Sequence, residues 1–186
     1  TSDEERGLQG IENFDFTQLK GDYVINVDSD DEGVVVVGCA GGPVVKVNVP
    51  IRKVPADHKK EYYAIKITGL RGGHSGEDIH RGRANANKLL IRVLRALEEN
   101  VRFDLSDITG GLKYNAIPRN AEAVIGIEKE DKAAVDAVIE RFSGIFADEY
   151  RVNDPGITLE AVPQETADHI LDEASSRRVL DYIDFT

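Results

Sequence analysis

Four stretches of this chain hold residue types that could do chemistry. Asp3-Glu4-Glu5 sets three carboxylates side by side. Neighbouring side chains can point to different sides, so one carboxylate can bind a metal while the next takes a proton from an attacking water. Adjacent acids also make an ordinary solvated helix start or turn. Asp28 ends the stretch Asp22-Tyr-Val-Ile-Asn-Val-Asp28 and precedes Ser29, Asp30 and Asp31. A carboxylate at the C-terminal end of a strand stands where open α/β sheets hold their sites, with oxygens that suit zinc at ~2.0–2.2 Å. An acidic turn is the alternative. In Gly72-Gly-His74-Ser-Gly76 the glycines free the backbone to hold the histidine at a fixed, exposed angle. An imidazole there could stabilise a developing oxyanion, or the segment could be a strand-to-helix turn with an incidental His. His80, six residues on, could cap a helix start. In Tyr114-Asn115-Ala-Ile-Pro118-Arg119, Asn115 offers a donor and an acceptor to a peptide, and Arg119 could bind a carboxylate. Against that, Pro118 marks the segment as a sheet edge or the start of a strand, and surface arginines are common. Ser75 beside His74 is no catalytic pair by adjacency, since a triad needs spatial placement and a third group.

The elements that must position these residues fall into two styles. Residues 11–20 read as a polar helix or loop, and 22–28 as a short strand. Val34 to Val37 are four consecutive valines, a pattern that suits a strand buried on both faces. Gly38-Cys-Ala-Gly-Gly42 then marks a boundary. Beyond it Val45, Val47 and Val49 alternate with Lys46 and Asn48, and Tyr63, Ile65 and Ile67 with Ala64, Lys66 and Thr68, which predicts strands with one face on a core. Ala86, Leu89, Leu90, Val93, Leu94 and Leu97 predict an amphipathic helix over ~80–99, closed by Asn100. Strands are expected at 101–108, 117–127 and 157–162. Val135, Val138, Ile139, Phe142 and Phe146 define a second helix, and a short one is expected at 175–184. The expected class is α+β: helices on one face of a mostly antiparallel, ferredoxin-like sheet.

Bulk properties narrow the function. The chain has 186 residues, 41% hydrophobic and 31% charged, enough for a real core. Its formal charge of −11 repels phosphate backbones and anionic lipid, and aromatic residues are only 6%. Neither a nucleic-acid partner nor a membrane is expected. Cys39 is the one cysteine, which fits a reducing, cytoplasmic setting. The start, Thr1-Ser-Asp-Glu, and the absence of Met suggest a piece trimmed from a longer chain.

Together the motifs resemble the two-zinc aminoacylase and carboxypeptidase family of metallopeptidases, and within it the aminoacyl-histidine dipeptidases. The resembling segments are Asp3-Glu-Glu-Arg-Gly-Leu-Gln-Gly10, Ile25-Asn-Val-Asp28 to Gly33, Gly38 to Gly42, Gly69-Leu-Arg-Gly-Gly-His-Ser-Gly-Glu-Asp-Ile-His80 into Asn85-Ala-Asn-Lys88, and Asn115-Ala-Ile-Pro-Arg-Asn-Ala-Glu122. The resemblance implies that Glu4 is the general base, that Glu5 ligates one zinc and that Asp28 ligates the other. It implies that His74 reaches the partner subunit's active site to steady the oxyanion, and that Asn115 hydrogen-bonds substrate. Arg119 is a weaker candidate for the substrate carboxylate. Many relatives carry an Arg 13 residues beyond the Asn115 position, where this chain has Glu128.

On this resemblance, residues 1–42 are a fragment of the catalytic domain and 43–186 the lid, which forms a homodimer. The parent would hydrolyse Xaa-His dipeptides with two divalent metals, zinc or alternatively manganese or cobalt. The family's upstream His-x-Asp element, bridging Asp and late His ligand have no counterpart here. The chain alone is therefore expected to be inactive and to bind zinc weakly or not at all. A non-catalytic dimerisation or binding module of ferredoxin-like fold is the alternative.

Overall fold

The computed structural model describes residues 9–23, 25, 32–38 and 45–186. The chain divides into two units, Thr1–Lys46 and Val47–Thr186. In the first, described elements are the helical turn α1 (Gln9–Glu12) and a 3-10 turn at Phe16–Gln18, the latter begun by Asp15, whose carboxylate accepts the Thr17 amide. Val34–Val37 form no strand, and Val35 and Val37 are 85% and 97% exposed. An unalternating apolar run needs sheet neighbours on both sides and cover on both faces, and among the described residues of this unit none supplies them. The strand expected at 22–28 falls largely outside the described residues.

The second unit is built on β2 (Glu61–Thr68), α2 (Ala86–Glu98), β4 (Phe103–Gly110), β6 (Ala121–Ile127), α3 (Lys132–Glu149) and β7 (Thr158–Gln164). The four strands run in the order β4-β6-β2-β7, every neighbouring pair antiparallel. This βαββαβ order is the ferredoxin-like arrangement that the pattern of strands and helices predicts. Tyr63, Ile65 and Ile67 from β2, Ala123, Ile125 and Ile127 from β6, and Leu159 from β7 face one side. There they meet Leu90, Leu94 and Leu97 of α2 and Val135, Phe142 and Phe146 of α3. Burying each large apolar side chain contributes about 1.5–3 kcal/mol, so period-2 strands against period-3.6 helices account for the stability of this layer pair.

Four short strands, in two pairs, complete the unit. β1 (Lys53–Pro55) pairs with β8 (His169–Leu171), and β8 leads into α4 (Glu173–Phe185). β4 carries a bulge between Leu105 and Asp107, and the hydroxyl of the intervening Ser106 donates to the His169 carbonyl at 2.8 Å. The bulge thus re-aims one residue to fasten β8 beside the edge of β4. β3 (Gly73–His74) pairs with β5 (Ala116–Ile117) in the remaining ladder.

Several boundaries differ from expectation for local reasons. No strand forms over Val45–Val49, where Pro43 and Pro50 flank the alternation and remove backbone donors. The helix expected from residue 80 begins at Ala86, because Gly82 takes a left-handed conformation (φ 61°) and Asn85 supplies the cap. His80 lies in the preceding 3-10 turn and caps nothing. Asn100 does close α2: its amide donates to Leu97 O at 2.9 Å and its side chain to Ala96 O at 2.8 Å.

Candidate functional site

The histidine loop leaves the end of β2 and returns to the start of α2. Glycine is required twice on the way in. Gly72 has φ 63°, and a Cβ there would overlap the Arg119 side chain. Gly73 has φ 148°, and a Cβ there would overlap the Asp78 carboxylate and the Arg83 guanidinium. After these, His74 sits in a closed ring of hydrogen bonds. Its backbone N–H donates to Asp78 Oδ2 at 2.8 Å, and the Asp78 N–H donates back to His74 O at 2.9 Å. Arg81 and Arg83 stand 3.1 and 3.6 Å from the same carboxylate. The His74 amide, with help from these two cations, holds the Asp78 carboxyl below the usual carboxylate range. Arg83 also donates to Gly72 O, closing the loop on itself.

The imidazole itself is held from one side. His74 Nδ1 accepts the N–H groups of Gly76 and Glu77, each at 3.2 Å. A nitrogen that accepts cannot carry the proton in that state, so the neutral ring has its N–H at Nε2. The side chain is exposed. The loop therefore presents a single imidazole donor at a fixed orientation, the arrangement an oxyanion stabiliser needs.

The Asn115 segment lies against this loop. Gly73 pairs with Ile117 and His74 with Ala116, and Ser75 N–H donates to Asn115 O at 2.9 Å. Pro118 O accepts Ala86 N–H at 3.1 Å, tying the segment to the start of α2. There Asn85 Oδ1 caps the helix, accepting from Asn87 at 3.0 Å and Lys88 at 3.3 Å. Asn87 lies so close to Gly110 that a Cβ at 110 would overlap its Oδ1. Between the two segments is an open groove of ≈ 580 Å³ lined by Ser75, Ile79, Arg83, Asn85, Tyr114 and Pro118, among others.

Arg119 crosses Gly72, and its Nε donates to Leu70 O at 3.3 Å. Part of its guanidinium is thereby engaged in holding the loop. Glu128 lies just past the far end of β6, 3.8 Å from Lys60. That is the end of the sheet away from His74, because Ile127 pairs with Glu61 whereas Thr68 leads into the histidine loop. The larger groove of ≈ 810 Å³ is lined by β4, β8 and α4. Several of its acids and bases pair, as in Lys60–Asp104 and Arg95–Asp181, and it holds none of the candidate residues.

Three sequence candidates, His74, Asn115 and Arg119, thus come together at one end of the sheet. Glu4, Glu5 and Asp28 lie outside the described residues. Among the described residues no group of three or more His, Cys, Asp or Glu could hold a metal ion. A zinc site uses four donors, so a centre that included Glu5 and Asp28 would need further ligands. One residue escaped sequence reasoning. Asp154 is fully buried, and its oxygens accept the amides of Arg71 and Ala84, the two ends of the histidine loop. Its sequence context, Asn153-Asp154-Pro155-Gly156, signals a turn and nothing more.

Residues 65–154 match the family described as Peptidase dimerisation domain. The chain is 34% identical over 159 residues to the "Cytosol non-specific dipeptidase" of Escherichia coli (strain K12), covering 86% of this chain and 33% of that protein. It therefore spans about a third of the length of that relative. Among solved structures it resembles the Aminoacylhistidine Dipeptidase from Vibrio alginolyticus, with a TM-score of 0.69 and 26% identity over 73% of this chain and 28% of that one. Among the described residues no helix is long and apolar enough to cross a membrane.

Proposed function

We propose that the chain, whose residues 65–154 match the family described as Peptidase dimerisation domain, is the dimerising lid portion of a cytoplasmic two-metal dipeptidase. The observation that carries this is the His74 loop, which holds an exposed imidazole with Nδ1 bound by two amides and Nε2–H outward. In the proposed mechanism His74 reaches the partner subunit's active site and donates from Nε2 to the oxyanion of the scissile carbonyl. Asn115, locked beside it, hydrogen-bonds the substrate backbone, and Arg119 contributes to the substrate carboxylate. Glu4 takes the proton of the attacking water, while Glu5 and Asp28 are metal ligands. The metals, zinc or alternatively manganese or cobalt, supply Lewis acidity when bound. The substrates are dipeptides, as for both relatives, with those ending in histidine preferred, as for the Vibrio alginolyticus aminoacylhistidine dipeptidase. These 186 residues are inactive on their own and assemble as a homodimer.

Three experiments test this. Sedimentation of the chain should give a dimer, and Xaa-His dipeptides with added zinc or manganese should show no turnover. Metal-dependent turnover lost in Glu4→Ala would overturn the inactivity of the chain alone. In the longer parent, His74→Ala and Glu4→Ala chains should each be inactive, and dimers mixed from the two should recover activity. A mixture that stays inactive would mean that His74 does not act across the dimer.

A further inference from the structure

We propose that Asp154 is a positioning residue for His74, a buried clamp that sets the direction of the imidazole from outside the loop; its catalytic consequence rests on the role of His74 proposed above. A carboxylate excluded from water costs several kcal/mol to bury unless its oxygens are satisfied. Asp154 is 0% exposed, and each oxygen takes one amide: Oδ1 from Arg71 at 2.6 Å and Oδ2 from Ala84 at 2.7 Å. Those amides bracket the loop, one shortly before His74 and the other immediately before the cap of α2. Asp154 is itself fixed through its backbone. Its N–H donates to Tyr150 O at 2.9 Å at the end of α3, and its carbonyl accepts Ile157 N–H at 3.1 Å before β7.

The surrounding contacts repeat the same bridging. Asn153 Nδ2 donates to Gly82 O at 3.0 Å, and Gly156 packs so closely on Gly69 that a Cβ at 69 would overlap its carbonyl. The turn after α3 therefore grips the loop at both ends. A loop that opens through Gly72 and Gly73 loses more conformational freedom on ordering than most, so its own few hydrogen bonds are a weak guarantee of one geometry. Asp154 supplies the fixed reference, and the amides of Gly76 and Glu77 pass that geometry to His74 Nδ1.

The test uses the 186-residue chain with ¹⁵N-labelled backbone and histidine. In Asp154→Asn one of the two amides faces an NH₂ group in place of an acceptor, so exchange at Arg71 and Ala84 should speed by about tenfold or more. The His74 ring nitrogens should move together, away from the Nε2–H signature and toward an averaged tautomer, while amide shifts in β2 and β6 stay in place. Asn153→Ala, which removes only the neighbouring Gly82 bond, should leave the ring signature unchanged. Loss of amide protection without any change in the ring would make Asp154 merely structural and overturn the proposal. An equal ring response in Asn153→Ala would do the same. Should Asp154→Asn not fold, the unmodified chain decides. The Arg71, Ala84, Gly76 and Glu77 amides should share one opening free energy, and separate values would refute the clamp. These readouts concern the chain itself, so they are independent of the mixed-dimer result, which tests the role of His74.

Discussion

The valines of the first unit and the strands of the second are similar in chemistry and opposite in environment. Val34–Val37 are all exposed, whereas Ile65, Ile67, Ile125 and Ile127 are sealed between sheet and helices. Apolar content does not separate them. What differs is company: β2 has a strand on each side and two helices on one face, and β-branched residues gain stability through such neighbours rather than through an intrinsic backbone preference.

The contrast can be broken most severely in the core. Phe146→Ala, which opens a hole between α3 and α2, should cost about 3–5 kcal/mol in denaturant unfolding. A value under ~1 kcal/mol would mean that the helix layer does not hold the unit together. Asn85→Ala removes the cap of α2 and should cost about 1 kcal/mol, with the loss showing first in the exchange of the Asn87 and Lys88 amides. A third test concerns acid. The Ser175 side chain and amide, with Arg52, hold the Asp172 carboxyl down at about 2, below its usual 3.8. A depressed carboxylate stabilises above its unfolded pKa and loses that contribution as pH falls through the folded one. The seat of α4 should therefore loosen between about pH 4 and 2, and Asp172→Ala should abolish that step in an acid titration followed by α4 amide shifts. Smallest of all, Val35→Ala should change stability by no more than about 0.5 kcal/mol, and a chain starting at Val47 should melt as the whole one does. A lower melting temperature for the shorter chain would show that the first unit supports the second.

Legibility in the sequence followed the same divide. The ferredoxin-like unit could be read because its central strands and its helices repeat their own period over seven or more residues, and packing then obeyed the pattern. Val45–Val49 had the period without the pairing, and the prolines beside it carried the decisive information. The start of α2 moved because one left-handed glycine and one asparagine cap outrank several residues of helical spacing. Within the site, His74, Asn115 and Arg119 could be chosen from glycine, proline and side-chain chemistry. Their convergence could not, since the bonds that join them span tens of residues and are made largely by backbone groups. Asp154 was illegible for a related reason: its partners are two amides, 83 and 70 positions away, and amides leave no mark in a sequence.

The two-residue ladder between β3 and β5 has a kinetic consequence. Gly73 and His74 exchange backbone bonds with Ile117 and Ala116, so neither segment can swing out while the other stays seated. His74 and Asn115 should behave as one latch, with a shared exchange rate in relaxation experiments. Slowing one would slow the other, although the two residues lie on different excursions of the chain.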